Sequence, residues 1–106
     1  MLKGTLDLLI LKCLSMEPMH GYGLTTWLEE QSGERVSPGD SATYQALHRL
    51  EADGLVEAEW DTSDNNRRAR YYHITPSGRA KLTESEKQWR DYTDIVTRLL
   101  DLPGLA

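Results

Sequence analysis

A chain of 106 residues and 12.1 kDa is enough for one folding unit with a small core, and too short for a second domain or a large substrate cleft. A hydrophobic share of 39%, a charged share of 27% and a mean hydropathy of -0.58 place it with globular chains rather than disordered or membrane ones. The most apolar run, Leu8 to Leu11 between Asp7 and Lys12, falls far short of the roughly 20 residues that span a bilayer. The beginning of the chain lacks the basic, apolar and small-residue pattern of a secretory signal, so a cytoplasmic location is expected. The single cysteine, Cys13, excludes an intrachain disulfide and a Cys-based zinc site.

Taken in order, Leu6, Leu9, Ile10, Cys13 and Leu14 recur at three- and four-residue spacing and predict a first helix. Leu8 and Leu11 lie off that face, so this helix is apolar nearly all round and needs cover from two directions, one of which a second subunit could supply. Pro18 closes the segment. A second helix follows, with Leu24, Trp27 and Leu28 inward, Glu29, Glu30 and Gln31 outward, and Gly33 as its stop. After a loop from Glu34 to Asp40, Ser41 is placed to cap a third helix that runs to Asp53 and ends on Gly54, with Tyr44, Leu47 and Leu50 facing inward.

Beyond Gly54 the period becomes two. Val56, Ala58 and Trp60 alternate with Glu57 and Glu59, Tyr72 and Ile74 alternate with Tyr71 and His73, and the connection from Asp61 to Ala69 holds the Asn65, Asn66 turn signal. The two runs predict a hairpin. Thr75 and Pro76 then supply a cap and a favoured first helical residue for a last helix, which stops before Pro103 and Gly104. Some 25 helical residues extend roughly 37 Å, longer than so small a core needs, so part of this helix is expected to project.

Three helices followed by a two-stranded hairpin predict an α+β, mostly α, winged helix-turn-helix with a long C-terminal dimerisation helix, in which the third helix enters the major groove and the hairpin touches flanking backbone. Charge placement agrees with that order. The net charge is -5, yet residues 65 to 81 hold Arg67, Arg68, Arg70, Arg79 and Lys81 and no acid, a local patch able to grip phosphate. Gln45, His48 and Arg49 fall nearest the outward side of the third helix, where Gln pairs with adenine and Arg with guanine, while Ser41 and Thr43 can donate to phosphate and the Tyr44 hydroxyl can touch it. Arg67, Arg68 and Arg70, on the hairpin tip, are assigned to phosphate. A protein-binding winged-helix module without operator binding is the alternative, and it would lack the steep salt dependence of phosphate contacts.

His20, His48 and His73 stand on different elements, and neither a Gly-rich phosphate loop nor a metalloprotease pattern occurs, so no enzyme, cofactor or metal is expected. His20 reads as a packing and capping residue at the start of the second helix, and Cys13 as a small buried hydrophobe.

The segments Met19 to Leu24, Tyr44 to Val56 and Arg70 to Arg79 make the chain resemble the PadR family of bacterial transcription regulators, its short members with a single C-terminal helix in particular. The resemblance implies a homodimeric repressor that binds a double-stranded operator, with the last helix building much of the dimer and, in some relatives, an aromatic or drug-like effector between subunits. Two departures fall at the start of the third helix: Ser41-Ala42-Thr43 stands where relatives often have Gly-Ser-Leu, and Gln45 where Pro is common. Residues 1–75 are accordingly read as the DNA-binding unit and 76–106 as the dimerisation helix packed on it. The last helix supports a dimer without the family: Leu82, Trp89 and Val96 interleave with Ser85, Tyr92 and Leu99 as an a and d seam, widened by Ile95 and Leu100. Trp89, at the centre of that seam, is the candidate to contact an effector.

Overall fold

The structure, a computed structural model, describes residues 4–62 and 66–105. Its elements run α1 (Thr5–Met16), β1 (Met19–His20), α2 (Gly21–Gln31), α3 (Gly39–Ala52), β2 (Val56–Thr62), β3 (Arg68–Ile74) and α4 (Pro76–Leu100). The three strands form one antiparallel sheet in the order β1, β3, β2. Ile10, Leu11, Cys13 and Leu14 of α1, Leu24 and Leu28 of α2, Ala46, Leu47 and Leu50 of α3, Val56 and Tyr72 make the buried core. Because α1 is apolar on nearly every side, it sits centrally and packs on α2, α3, β3 and α4. Its second cover therefore comes in part from this chain's own α4.

Local chemistry explains most of the boundaries. His20 caps α2, its Nδ1 accepting from the Gly23 amide at 2.9 Å, as expected of it. The end of α3 is a Schellman motif, in which the Leu55 amide donates to Leu50 O and the Gly54 amide to Glu51 O, with Gly54 at φ +73. At the start of α4 the Thr75 hydroxyl accepts from the Gly78 amide at 3.0 Å and donates to Gly54 O at 2.8 Å, while Pro76 occupies the first turn. Burial also decides the state of Cys13. It pushes the thiol, with a smaller contribution from Glu17, up to about 12, and Sγ lies 3.3 Å from the Met19 sulfur.

Three expectations are corrected, and one short strand is added. The third helix begins at Gly39, preceded by Pro38 and without a side-chain cap; Ser41 is already inside it, its hydroxyl accepting from Gln45 Nε2 at 3.4 Å. The entry turn is made instead by Gly39 at φ +79. The hairpin strands extend to Thr62 and back from Arg68, which shortens the connection to 63–67, with Asn66 at φ +61 and Asn65 outside the described residues. Strand β1, two residues long, carries no periodic signal and exists because the chain docks on β3, with Met19 opposite Tyr72 and His20 opposite Tyr71. Trp60 is 58% exposed although it shares a strand face with buried Val56, because among the described residues the core beneath this face ends at Val56 and Tyr72.

Candidate nucleic-acid interface

The helical period sorts the side chains of α3. Thr43, Ala46, Leu47 and Leu50 are buried, and Ser41, Tyr44, Gln45 and His48 line the opposite, exposed side. Thr43 is 0% exposed, with its hydroxyl on Gly39 O at 2.9 Å and 3.4 Å from the Thr25 hydroxyl, so the expectation that it donates to phosphate is corrected: its donor is used inside the fold. Tyr44, expected to face inward, faces outward instead. It is 43% exposed and lies over Gly21, where an added Cβ would come within 2.7 Å of its ring and hydroxyl. Arg49, on the flank of α3, is held by Asp7 of α1, Nη2 to Oδ1 at 2.9 Å, a contact that ties the two helices together.

The register of the hairpin places Val56 opposite Ile74, Ala58 opposite Tyr72, Trp60 opposite Arg70 and Thr62 opposite Arg68, all on one face. Arg70 is therefore not a tip residue. It reaches Glu51 of α3 through two hydrogen bonds, at 3.1 and 3.4 Å, and its guanidinium lies 5.9 Å from the Tyr72 ring centroid. Burial raises the Tyr72 hydroxyl above its ordinary pKa, outweighing the opposing pull of Arg70. Arg68 lies over the Trp60 indole, 5.1 Å from its centroid. On the other hairpin face His73 Nε2 is 2.6 Å from Glu59 Oε1, too poorly aligned for a hydrogen bond.

Between α2, α3 and the hairpin runs an open groove of about 1060 Å³, bordered by Tyr22, Trp27, Tyr44 and His48 on the helical side and by Trp60, Arg67, Arg68 and Arg70 on the other. Tyr22 and Trp60 line this groove and are not among the site residues expected from the sequence. The signal for Tyr22 was present: the face set by Leu24, Trp27 and Leu28 leaves it on the polar side, where an exposed aromatic asks for a reason. Its ring stacks with His20, centroids 6.3 Å apart, and His20 meets Tyr71 edge-on at 5.3 Å.

On α4 the six seam residues divide. Leu82 packs on the core, and Ser85, Trp89 and Tyr92 border a second groove of about 590 Å³ shared with Leu8 and Leu11 of α1. Val96 is half-buried, and Tyr92, Ile95, Leu99 and Leu100 are between 57 and 77% exposed.

A third helix packed on α2 and flanked by an antiparallel hairpin defines a winged helix-turn-helix protein. Residues 10–84 match the transcriptional regulator PadR-like family, and the chain belongs to that family. Transcriptional regulator Rv3488 of Mycobacterium tuberculosis is 49% identical over 69 residues, covering 65% of this chain and 61% of that protein. A PadR-like transcriptional regulator from Bacillus cereus superposes with a TM-score of 0.83 at 32% identity, over 97% of this chain and 98% of its own. Bacillus subtilis PadR in complex with operator DNA superposes with a TM-score of 0.68 at 25% identity, over 76% of this chain and 45% of that one. Among the described residues no helix is long and apolar enough to cross a membrane.

Proposed function

We propose that this PadR-family transcriptional regulator works in the cytoplasm as a homodimeric, sequence-specific repressor on a double-stranded operator and is released by an aromatic or drug-like effector. The DNA-binding unit is residues 1–75 and the dimerisation arm residues 76–106. The observation that carries the DNA reading is that the exposed face of α3 and the arginine-bearing face of the hairpin border one groove. On this reading Gln45 and His48 contact base edges in the major groove, Ser41 and the Tyr44 hydroxyl hold phosphate, and Arg67 and Arg68 grip the backbone beside it. Arg49 and Arg70, already paired with Asp7 and Glu51, act as braces that set the angle of α3 and of the hairpin.

The dimer reading is supported by the apolar stripe from Tyr92 to Leu100, which the chain's own body leaves uncovered. The effector reading is supported by Trp89 at the edge of the groove between α1 and α4. Control of DNA binding then requires an effector that prefers the subunit spacing unable to span the operator.

The test is titration of DNA from upstream of the chain's own gene, and of random duplex, at several salt concentrations. Operator affinity that falls steeply with salt is expected, and Gln45→Ala should lose about 1 to 3 kcal/mol of preference for operator over random DNA. Salt-independent or absent binding would favour the protein-binding module instead.

A further inference from the structure

Trp60 is a large apolar side chain at a place where burial does not account for it. Along the inner hairpin face Val56 is buried, Ala58 is half-buried and Trp60 is exposed, so the core ends before the indole begins. Its neighbours on that face are cations. Arg70, directly opposite, is committed to Glu51 and the Tyr72 ring, whereas Arg68, one pair further out and diagonal to Trp60, rests on the indole itself.

We propose that Trp60 is a positioning residue of the hairpin, whose indole face holds Arg68 extended so that the guanidinium meets a DNA phosphate already ordered. The proposal rests on the DNA-binding reading above. Its chemistry follows from the shape of the guanidinium. All five N–H donors lie in the guanidinium plane, so stacking on a ring consumes none of them and leaves the edge open to phosphate oxygens. An arginine also loses rotamer freedom when it grips a phosphate, and one resting on a ring has surrendered part of that freedom before DNA arrives. Trp60 therefore acts on the affinity of a contact that Arg68 makes, without making a phosphate contact itself.

A double-mutant cycle with Trp60→Leu and Arg68→Ala, read as affinity for upstream DNA across a salt series, tests this. Trp60→Leu should weaken binding about two- to fivefold, part of the ordering cost of one immobilised rotamer-rich side chain, with the salt slope unchanged because the phosphate count is the same. Arg68→Ala should lower the slope by about one. On that background Trp60→Leu should have no further effect. Trp60→Tyr should restore most of the affinity, and the thermal midpoint should fall by no more than a few degrees in any Trp60 variant, because only an exposed contact outside the core is lost. Unchanged affinity in Trp60→Leu, or losses that add in the double variant, would overturn the proposal, the second result placing Trp60 itself on DNA. Failure of the DNA reading is separately visible, as absence of salt-dependent binding by the unsubstituted chain.

Discussion

At Gly78 two backbones approach so closely that a side chain has no room: a Cβ there would collide with the Leu55 carbonyl and sit 2.7 Å from Ile74 Cγ1. The Leu55 carbonyl cannot retreat, because it also accepts from the Thr75 amide at 3.1 Å. Gly78→Ala is therefore expected to destabilise by about 1 to 3 kcal/mol even though Ala is the better helix former by about 1 kcal/mol, and a denaturant titration measures the balance. Cys13 makes the opposite kind of statement, since its environment suppresses chemistry. A thiol raised to about 12 by burial is protonated and shielded at neutral pH, so alkylation should proceed only as fast as the chain opens, and Cys13 should become reactive in denaturant. The sign for stability follows. A folded-state pKa above the unfolded one means that the contribution is complete below about pH 9 and is lost towards pH 12, so stability should fall over that window more in the native chain than in Cys13→Ala.

On the proposed DNA reading, α3 and the hairpin divide their work by stiffness. A helix held by Leu47 and Leu50 below and by the Asp7 to Arg49 pair at its flank can keep a donor in register with a base edge. Arg67, in the connection beyond β2, suits a contact with backbone charge instead. Replacing Arg67 and Arg68 together by Ala is expected to weaken operator and random DNA alike and to flatten the salt slope by roughly one to two phosphate equivalents, measurable by fluorescence anisotropy. A loss confined to operator DNA would place base reading on the hairpin. The legibility of these elements was uneven for a physical reason. Thr75, Pro76 and Gly54 act on residues within a few positions of themselves and could be read directly. Ser41 could not, because whether a hydroxyl caps a helix depends on where the preceding loop delivers the chain, and Gly39 delivers it early.

The whole molecule is longer than its mass requires. A compact chain of this length has a radius of gyration of about 13 Å, and the observed value is 16.3 Å with a longest dimension of 62 Å. The excess comes from α4, whose first half packs on α1 and whose second half carries Tyr92, Ile95, Leu99 and Leu100 into solvent. A 106-residue chain gains little by exposing such a stripe unless a second copy covers it. If the proposed dimer forms through this stripe, Leu99→Asp is expected to shift it to monomer in sedimentation, with the α1 to β3 core retained, and to weaken operator binding because two half-sites are no longer engaged together. Trp89→Ala separates the two roles proposed for that residue: a variant that stays dimeric and still releases DNA on addition of a planar aromatic compound would remove Trp89 from both.

The order of helices and hairpin, the apolar circumference of α1, the ends of α3 and α4 and the clustering of arginines between positions 65 and 81 are written in contiguous residues, because helical and strand periods and caps act over a few positions. Which polar side chains remain available at the interface is decided elsewhere. Arg49 and Arg70 were equal to their neighbours as candidates until α1 brought Asp7 across 42 residues and α3 brought Glu51 across 19. Thr43 was drawn inward by the packing of α3 on α2, and Trp60 was left outside by the length of the hairpin relative to the body. Partners that distant in sequence meet only after the chain has folded, so the pairing of Arg49 with Asp7 and of Arg70 with Glu51 could not be read from residue type.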